Sequence, residues 1–439
     1  MKIRDKPLKK VLIISYYWPP SGGIGVHRCL KFAKYLRNFG WEPIVYTAKD
    51  AQYPYLDESN LIDIPDNLEV IRHKIFEPFN LFKILSGRKL SEPLTNPVHV
   101  REKKQSFIDK FSIWLRGNFF IPDARALWIR PSVRYLSHYL RHNKVDAILS
   151  DGPPHTNTYI AYKISKKFDI PWLADFQDPW TQVDYYKDLM LMNCADRKHK
   201  RMEQEVFEQA AKITVASPNW ARELEKIGAK NVSEIYWGYD EDDFNQVSKA
   251  TKDRKFIISH AGLLGLDRNP ETLFKVISEM MKEDPSMKDS FQIVFPGMVD
   301  YSVKQSAEDH GLKDIIEYSG NIKRREVLEL NARSGILLLP LNKAENAKGR
   351  IPGKLFEYLK SGNQILCLGP KNSDAGSIIL ETKRGICSEY DDKALIREFI
   401  HKKYYEFKNN KLKPLLDDIS EYSVENQTEK VAKFLNEII

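Results

Sequence analysis

Lys354 and Glu357 are the pair whose types and spacing point most directly to chemistry. They lie one turn apart in GRIPGKLFEYLKSGNQILCLGP, residues 349–370, in a segment that Pro352 and Gly353 open and Ser361-Gly362 stops. A helix starting there leaves its first backbone N–H groups unbonded and points its positive end outward, so an ammonium beside it favours a diphosphate. A carboxylate one turn further on can accept both hydroxyls of a ribose. The same residues also suit a capped helix with a solvated Lys and Glu.

Four other places carry reactive or anion-binding groups. Arg268, in HAGLLGLDRNPETLF, stands before Asn269-Pro270 and a helix, where a guanidinium can pair with two phosphate oxygens at once; a surface arginine fits there equally well. Gly22 and Gly23, with Gly25, follow a first apolar run in YYWPPSGGIGVHR and let backbone amides approach a phosphate or sugar, although a plain tight turn uses the same residues. His155 ends the phrase SDGPPH after another apolar run, on a loop entering a helix. Asp175 and Asp178, in DFQDPW, reach the end of the next strand, where carboxylates either bind or deprotonate an acceptor hydroxyl or cap a helix through Asp178-Pro179. No Asp-x-Asp pair is placed at a strand end, so no metal site is expected. The glycine spacing is not GxGxxG, and Thr47-Ala48-Lys49 stands where an acidic residue would read a ribose, which disfavours a nicotinamide enzyme.

These groups need a scaffold that delivers strand ends to one edge. Short apolar runs at residues 11–15, 43–47, 145–149, 172–174 and 213–216 alternate with helical stretches, and the alternation resumes at 256–259, 292–295, 316–318, 336–339 and 365–368. The first helix is expected over 29–39. The chain is too long for one ordinary core, so two α/β domains are expected, 1–250 and 251–415, joined through a polar stretch at 246–254. A third segment, 416–439, ends in an amphipathic helix with Val424, Val431, Leu435 and Ile438 on one stripe. Residues 74–130 break the alternation and hold eleven Lys and Arg against five Asp and Glu, interleaved with aromatics. Such an excursion either covers its own domain or rests on an anionic membrane surface.

Composition narrows the class. At 42% hydrophobic and 29% charged the chain is globular, and its net charge of +8 suits an anionic ligand, an anionic membrane or nucleic acid. No recognised nucleic-acid module accompanies the basic residues, so that partner is least favoured. Cys29, Cys194, Cys367 and Cys387 are too scattered for a zinc site or a disulfide framework, which fits a reducing cytoplasm. The apolar run at 11–14 is too short for a signal or transmembrane segment, so the expected location is cytoplasmic, with peripheral contact to the inner face of a membrane as the variant.

The 349–370 segment resembles the donor-binding helix of family-four glycosyltransferases, the branch with a Lys-Leu-Phe-Glu-Tyr-Leu core followed by Ser-Gly and a strand. The Pro-Pro-x-Gly-Gly loop, the Pro-Pro-His loop and Trp-Gly-Tyr-Asp at 237–240 resemble the same family, so the likeness spans nearly the whole chain. It implies a GT-B fold: two Rossmann-like domains facing across a cleft, with the C-terminal helix crossing back to the first. It also implies transfer of a sugar from a nucleotide-sugar, a UDP-sugar foremost, to a glycan or lipid-linked acceptor, with retention and no metal or other cofactor, in bacterial surface polysaccharide assembly. By that resemblance Glu357 holds the ribose, Arg268 and Lys354 clamp the diphosphate, the Gly22-Gly23 loop faces phosphates and sugar, and His155 is the catalytic residue beside the donor sugar. Relatives often have a second Glu eight positions before Glu357, where this chain has Gly349, and an Arg where it has Gln177. Two alternatives stay open: a sugar-nucleotide epimerase of the same fold, and a catalytically silent sugar-nucleotide-binding protein.

Overall fold

The structure is a computed structural model that describes residues 7–54, 56–77, 107–245, 247 and 254–439. It divides into two compact units, one running to Trp237 and regaining Val424–Ile439, the other Gly238–Ser423.

Val11, Leu12, Ile13 and Ile14 are fully buried, as an apolar strand must be when helices cover both faces of a parallel sheet. They belong to β1 (Lys9–Ile14), which is joined in the first unit by β2 (Trp41–Lys49), β3 (Glu69–Lys74), β4 (Ala147–Gly152), β5 (Trp172–Phe176), β6 (Lys212–Val215) and β7 (Val232–Glu234). The order is β3-β2-β1-β4-β5-β6-β7, parallel throughout. Around the sheet pack α1 (Ile24–Tyr35), α2 (Phe107–Phe119), α3 (Ile129–Tyr139), α4 (His155–Phe168), α5 (Asn193–Gln209) and α6 (Pro218–Lys226). The order reverses between β1 and β4, and a crevice opens at the carboxyl ends of strands at such a switch point.

Two elements differ from the sequence expectation. The first helix begins at Ile24 rather than 29, because Gly23 takes φ 92° at the N-cap, a conformation that costs glycine little. The strand β3 was not foreseen: it is an edge strand with only Ile71 buried, so charged residues mask its period.

The second unit repeats the plan with β8 (Phe256–Ser259), β9 (Phe291–Pro296), β10 (Ile316–Gly320), β11 (Ile336–Pro340), β12 (Gln364–Leu368) and β13 (Gly385–Ser388) in the order β10-β9-β8-β11-β12-β13, again parallel. Its helices are α7 (Glu271–Glu283), α8 (Tyr301–Asp309), α9 (Arg324–Arg333), α10 (Lys354–Ser361), α11 (Asp374–Glu381) and α12 (Lys393–Lys408). The switch point lies between β8 and β11. The division after Trp237, ahead of the expected position near 250, has a cause in side chains. Residues 238–245 are tied into the second unit by Tyr239 N–H on Tyr422 O (3.0 Å), Lys360 on Glu241 (2.6 Å) and Arg324 on Asp243 (2.6 Å). Of the expected 246–254 linker, 246 and 248–253 lie outside the described residues.

The last helix, α13 (Val424–Glu437), belongs to the first unit. Val431, Ala432 and Leu435 join a cluster with Val11, Ile13, Leu30 and Leu36, and Gln427 Oε1 accepts from Tyr236 N–H at 2.9 Å. Both units are therefore doubly wound α/β, with the terminal helix returned to the first unit as expected. Residues 78–106 of the basic excursion lie outside the described residues; of the remainder, α2 buries Ile113 while Phe111 and Phe119 are exposed. Among the described residues no helix is long and apolar enough to cross a membrane.

Candidate functional site

Lys354 is the first residue of α10, and its side chain reaches the carboxyl end of β8. Its ammonium donates to Ala261 O at 2.6 Å and lies 3.3 Å from His260 Nε2. His260 Nδ1 is 2.9 Å from Leu338 O on β11. Donation from that nitrogen leaves Nε2 as the acceptor facing Lys354, so the lysine at the end of β8 is linked through His260 to β11, the other strand of the switch point. Gly262, at φ 114°, makes room for it: a Cβ there would lie 3.0 Å from Nζ.

Burial and then the charge of Arg268 push the Lys354 ammonium down to about 7, with Glu357 opposing the shift. Arg268 ends a 3₁₀ turn, Leu266–Arg268; its guanidinium is mostly buried, and its Nε is 3.5 Å from Asp267 without making a hydrogen bond. Two cations thus crowd the strand ends, where the N-terminus of α10 adds further positive potential. A bound anion would oppose the downward shift of Lys354. Glu357, one turn along α10, is mostly buried, and its Oε1 accepts from Arg324 Nη1 at 2.9 Å. Burial alone lowers the Arg324 guanidinium, but the charges of Glu357 and Asp243 outweigh it and hold the residue firmly ionised. Glu357 is therefore held in place by Arg324. Gly349 closes the turn Glu345–Gly349.

In the first unit Gly22 is buried, and Gly23 caps α1 with no side chain capping the helix's first N–H groups. His155 opens α4. Its ring stacks on Trp180 at 4.6 Å and 3°, and its Nδ1 is buried without a hydrogen-bond partner. Burial, aided by the charge of His199, pushes it down to about 3, so the imidazole is neutral at pH 7: a hydrogen-bonding group and a poor base. Asn157 Oδ1 and Thr158 Oγ1, in the same first turn of α4, are likewise buried without a partner. Unsatisfied polar atoms of this kind call for water or a ligand.

Asp175 corrects one expectation. It is buried, with Arg28 donating to both its oxygens (2.5 and 2.7 Å) and Thr214 Oγ1 donating at 2.7 Å. A carboxylate committed to three donors inside the sheet is not available to an acceptor hydroxyl. Asp178, beyond the end of β5, is half-buried.

The sequence reading passed over several residues that position this site. Asp151 ends β4 at the switch point and accepts from Ser15 Oγ (2.9 Å) and Asn157 Nδ2 (2.7 Å). Burial pushes it up to about 7, the bonds from Ser15 and Asn157 resist, and the charge of Asp175 adds to the rise. Asp123 fixes the same helix start from outside, accepting from the Thr156 N–H (2.8 Å) and hydroxyl (2.9 Å). His155 is thus positioned by neighbours bound to two other segments. Asp151 stood legibly in SDGPPH as a strand-end acid; Arg28, His260 and Arg324 carried no local signal, since their partners lie far along the chain.

The sequence matches no protein-family model and no curated protein. Its fold does match solved structures. The N-terminal domain of trehalose-6-phosphate phosphatase from Candida albicans is 11% identical with a TM-score of 0.66, over 100% of this chain and 98% of that one. HepE from Anabaena, solved in complex with UDP, is 12% identical with a TM-score of 0.61, over 98% and 100%. A Listeria monocytogenes protein assigned as a UDP-N-acetylglucosamine 2-epimerase is 10% identical with a TM-score of 0.54, over 97% and 95%. What these proteins share with this chain is the fold, two doubly wound α/β units of GT-B type.

Proposed function

We propose that this chain is a glycosyltransferase. In this reading the second unit holds a nucleoside diphosphate sugar and the first supplies the groups that act on sugar and acceptor. One observation carries it: at the end of β8, beside a helix N-terminus, the Lys354 ammonium feels the charge of Arg268, and among the described residues no carboxylate contacts it. A diphosphate relieves that crowding, and Glu357, fixed by Arg324, is placed to accept from a ribose.

The acceptor hydroxyl adds to the anomeric carbon as the bond from that carbon to the diphosphate oxygen breaks. Its proton passes to the departing phosphate oxygen, and the configuration is retained. This route suits a first unit whose imidazole is neutral and weakly basic and whose Asp175 is engaged by Arg28. Arg268, Lys354 and the start of α10 stabilise the leaving group in the role a metal would otherwise take. Gly22, Gly23 and His155 contact the sugar, and Asp178 keeps the acceptor side. The donor class is a UDP-sugar, the acceptor a glycan or lipid-linked glycan, and the setting surface polysaccharide assembly at the inner face of a bacterial membrane.

The test is incubation with UDP-, GDP-, ADP- and dTDP-sugars and product analysis, with thermal shifts of wild type and Lys354→Met alongside. A glycosylated acceptor with released nucleotide, and a shift that Lys354→Met abolishes, is the expected result. The Listeria likeness keeps an epimerase in view, and an isomerised donor without acceptor product would establish it instead. Saturable binding with no turnover on any acceptor would make the chain a nucleotide-sugar-binding protein.

A further inference from the structure

A second concentration of positive charge lies on the first unit, away from the strand ends. The helices α3 and α4 border a groove of about 530 Å³ lined by Arg130, Arg134, His138, Arg141, Lys163 and Lys167. On α3 and its exit the basic positions recur every three or four residues, which puts them on one face; Lys163 and Lys167 are four apart on α4. Among the described residues no carboxylate pairs with any of the five Arg and Lys side chains. Lys167 donates to Ser137 Oγ at 2.9 Å, and Lys163 lies 4.9 Å from the rings of both Tyr159 and Tyr162. Two acids that approach these helices are engaged elsewhere: Glu69 accepts from the Tyr139 hydroxyl (2.6 Å) and Glu205 from the Tyr159 hydroxyl (2.7 Å).

Like charges four residues apart on a helix destabilise it, so a stripe of them without counter-charges is a cost that an anion removes. Three guanidiniums favour an oxyanion that accepts forked pairs and carries more than one negative charge, which a phosphate group does and a single carboxylate does not. We infer that the α3/α4 groove is a binding site for a phosphate-bearing group, separate from the switch points. Lys163 and Lys167 lie about 12 and 18 Å along α4 from His155, at 1.5 Å per residue. The phosphate is carried either by a lipid headgroup or by a soluble molecule; the groove is short and concave, unlike the long basic track that follows a nucleic-acid backbone.

Two probes separate the sources: inorganic pyrophosphate by calorimetry, and flotation with phosphatidylcholine vesicles with and without phosphatidylglycerol. Each is run on the full chain as wild type, Arg134→Gln/Arg141→Gln, and Lys354→Met. Both arginines are exposed, so the double variant keeps its fold, which circular dichroism checks. Losing two cations is expected to weaken binding about 30-fold, while UDP-sugar thermal shifts stay unchanged. Lys354→Met, which removes the donor-side cation, is expected to leave groove binding intact. Pyrophosphate binding that persists in Lys354→Met and is weakened in the double variant, without vesicle capture, identifies a soluble ligand, and capture by phosphatidylglycerol vesicles alone identifies a headgroup. Equal binding by the double variant, no binding of either probe, or tighter capture of a single-stranded oligonucleotide than of both would overturn the inference.

Discussion

Because burial and Arg268 push the Lys354 ammonium down to about 7, binding of the proposed donor there would carry a proton with it. A bound diphosphate brings two negative charges to the group and returns it toward the ordinary lysine value near 10.4. The sign follows directly. The bound form holds one more proton than the free form between those two values, so affinity falls as pH rises through that window. From pH 7.0 to pH 8.5 the deprotonated fraction of free Lys354 grows from about one half to nearly one, which predicts a donor affinity about 15-fold weaker at the higher pH. Calorimetry with a UDP-sugar in two buffers of different ionisation heat reads the same event as proton uptake, rising from about half a proton to about one. Lys354→Arg keeps the charge but does not titrate in this range, so it is expected to bind with no pH slope. A wild-type dissociation constant that is flat over this window, or a slope that survives in Lys354→Arg, would refute the assignment of Lys354 to the diphosphate.

Other substitutions test separate parts of the fold and site. Arg28→Ala leaves the Asp175 carboxylate buried without its partner and should cost roughly 3–5 kcal/mol in urea denaturation; a change below about 1 kcal/mol would mean that the pair is not buried as described. His155→Asn is expected to lower turnover by about 10²-fold or more while leaving the UDP-sugar thermal shift in place, and unchanged turnover would remove the imidazole from the reaction. Glu357→Gln should weaken binding of UDP itself, because the ribose contact does not depend on the sugar; equal affinity for UDP would sink that role. Leu435→Ala truncates a fully buried side chain of the returning helix and should destabilise the first unit by roughly 2–5 kcal/mol, readable as a lowered denaturation midpoint.

What was legible in the sequence is what is local. Apolar runs such as Val11 to Ile14 announce buried parallel strands, and the residues just beyond them mark the strand-end edge; Lys354, Glu357 and His155 were chosen as candidates that way. The errors also have local causes. Residues 69–74 lack an apolar period because an edge strand buries little, and the true start of α1 was hidden because Gly23 caps it by conformation, without the side chain that usually marks an N-cap.

What was not legible is pairing across the sheet. Asp151 and Asp175 are register partners on β4 and β5, so two acids share one low-dielectric edge, and the protein resolves the repulsion by giving them different fates. Asp175 receives Arg28 from α1 in a closed pair; Asp151 receives only neutral donors and is pushed toward protonation. The second unit arranges the opposite sign in the same way: Arg324 receives two carboxylates and is settled, whereas Lys354 receives a carbonyl and an imidazole and is left in want of charge. In each unit one charged group is satisfied from within and a neighbouring one is left perturbed at the strand ends. The perturbed group is the candidate contact for the proposed ligand, and it becomes visible only when all of its partners can be counted.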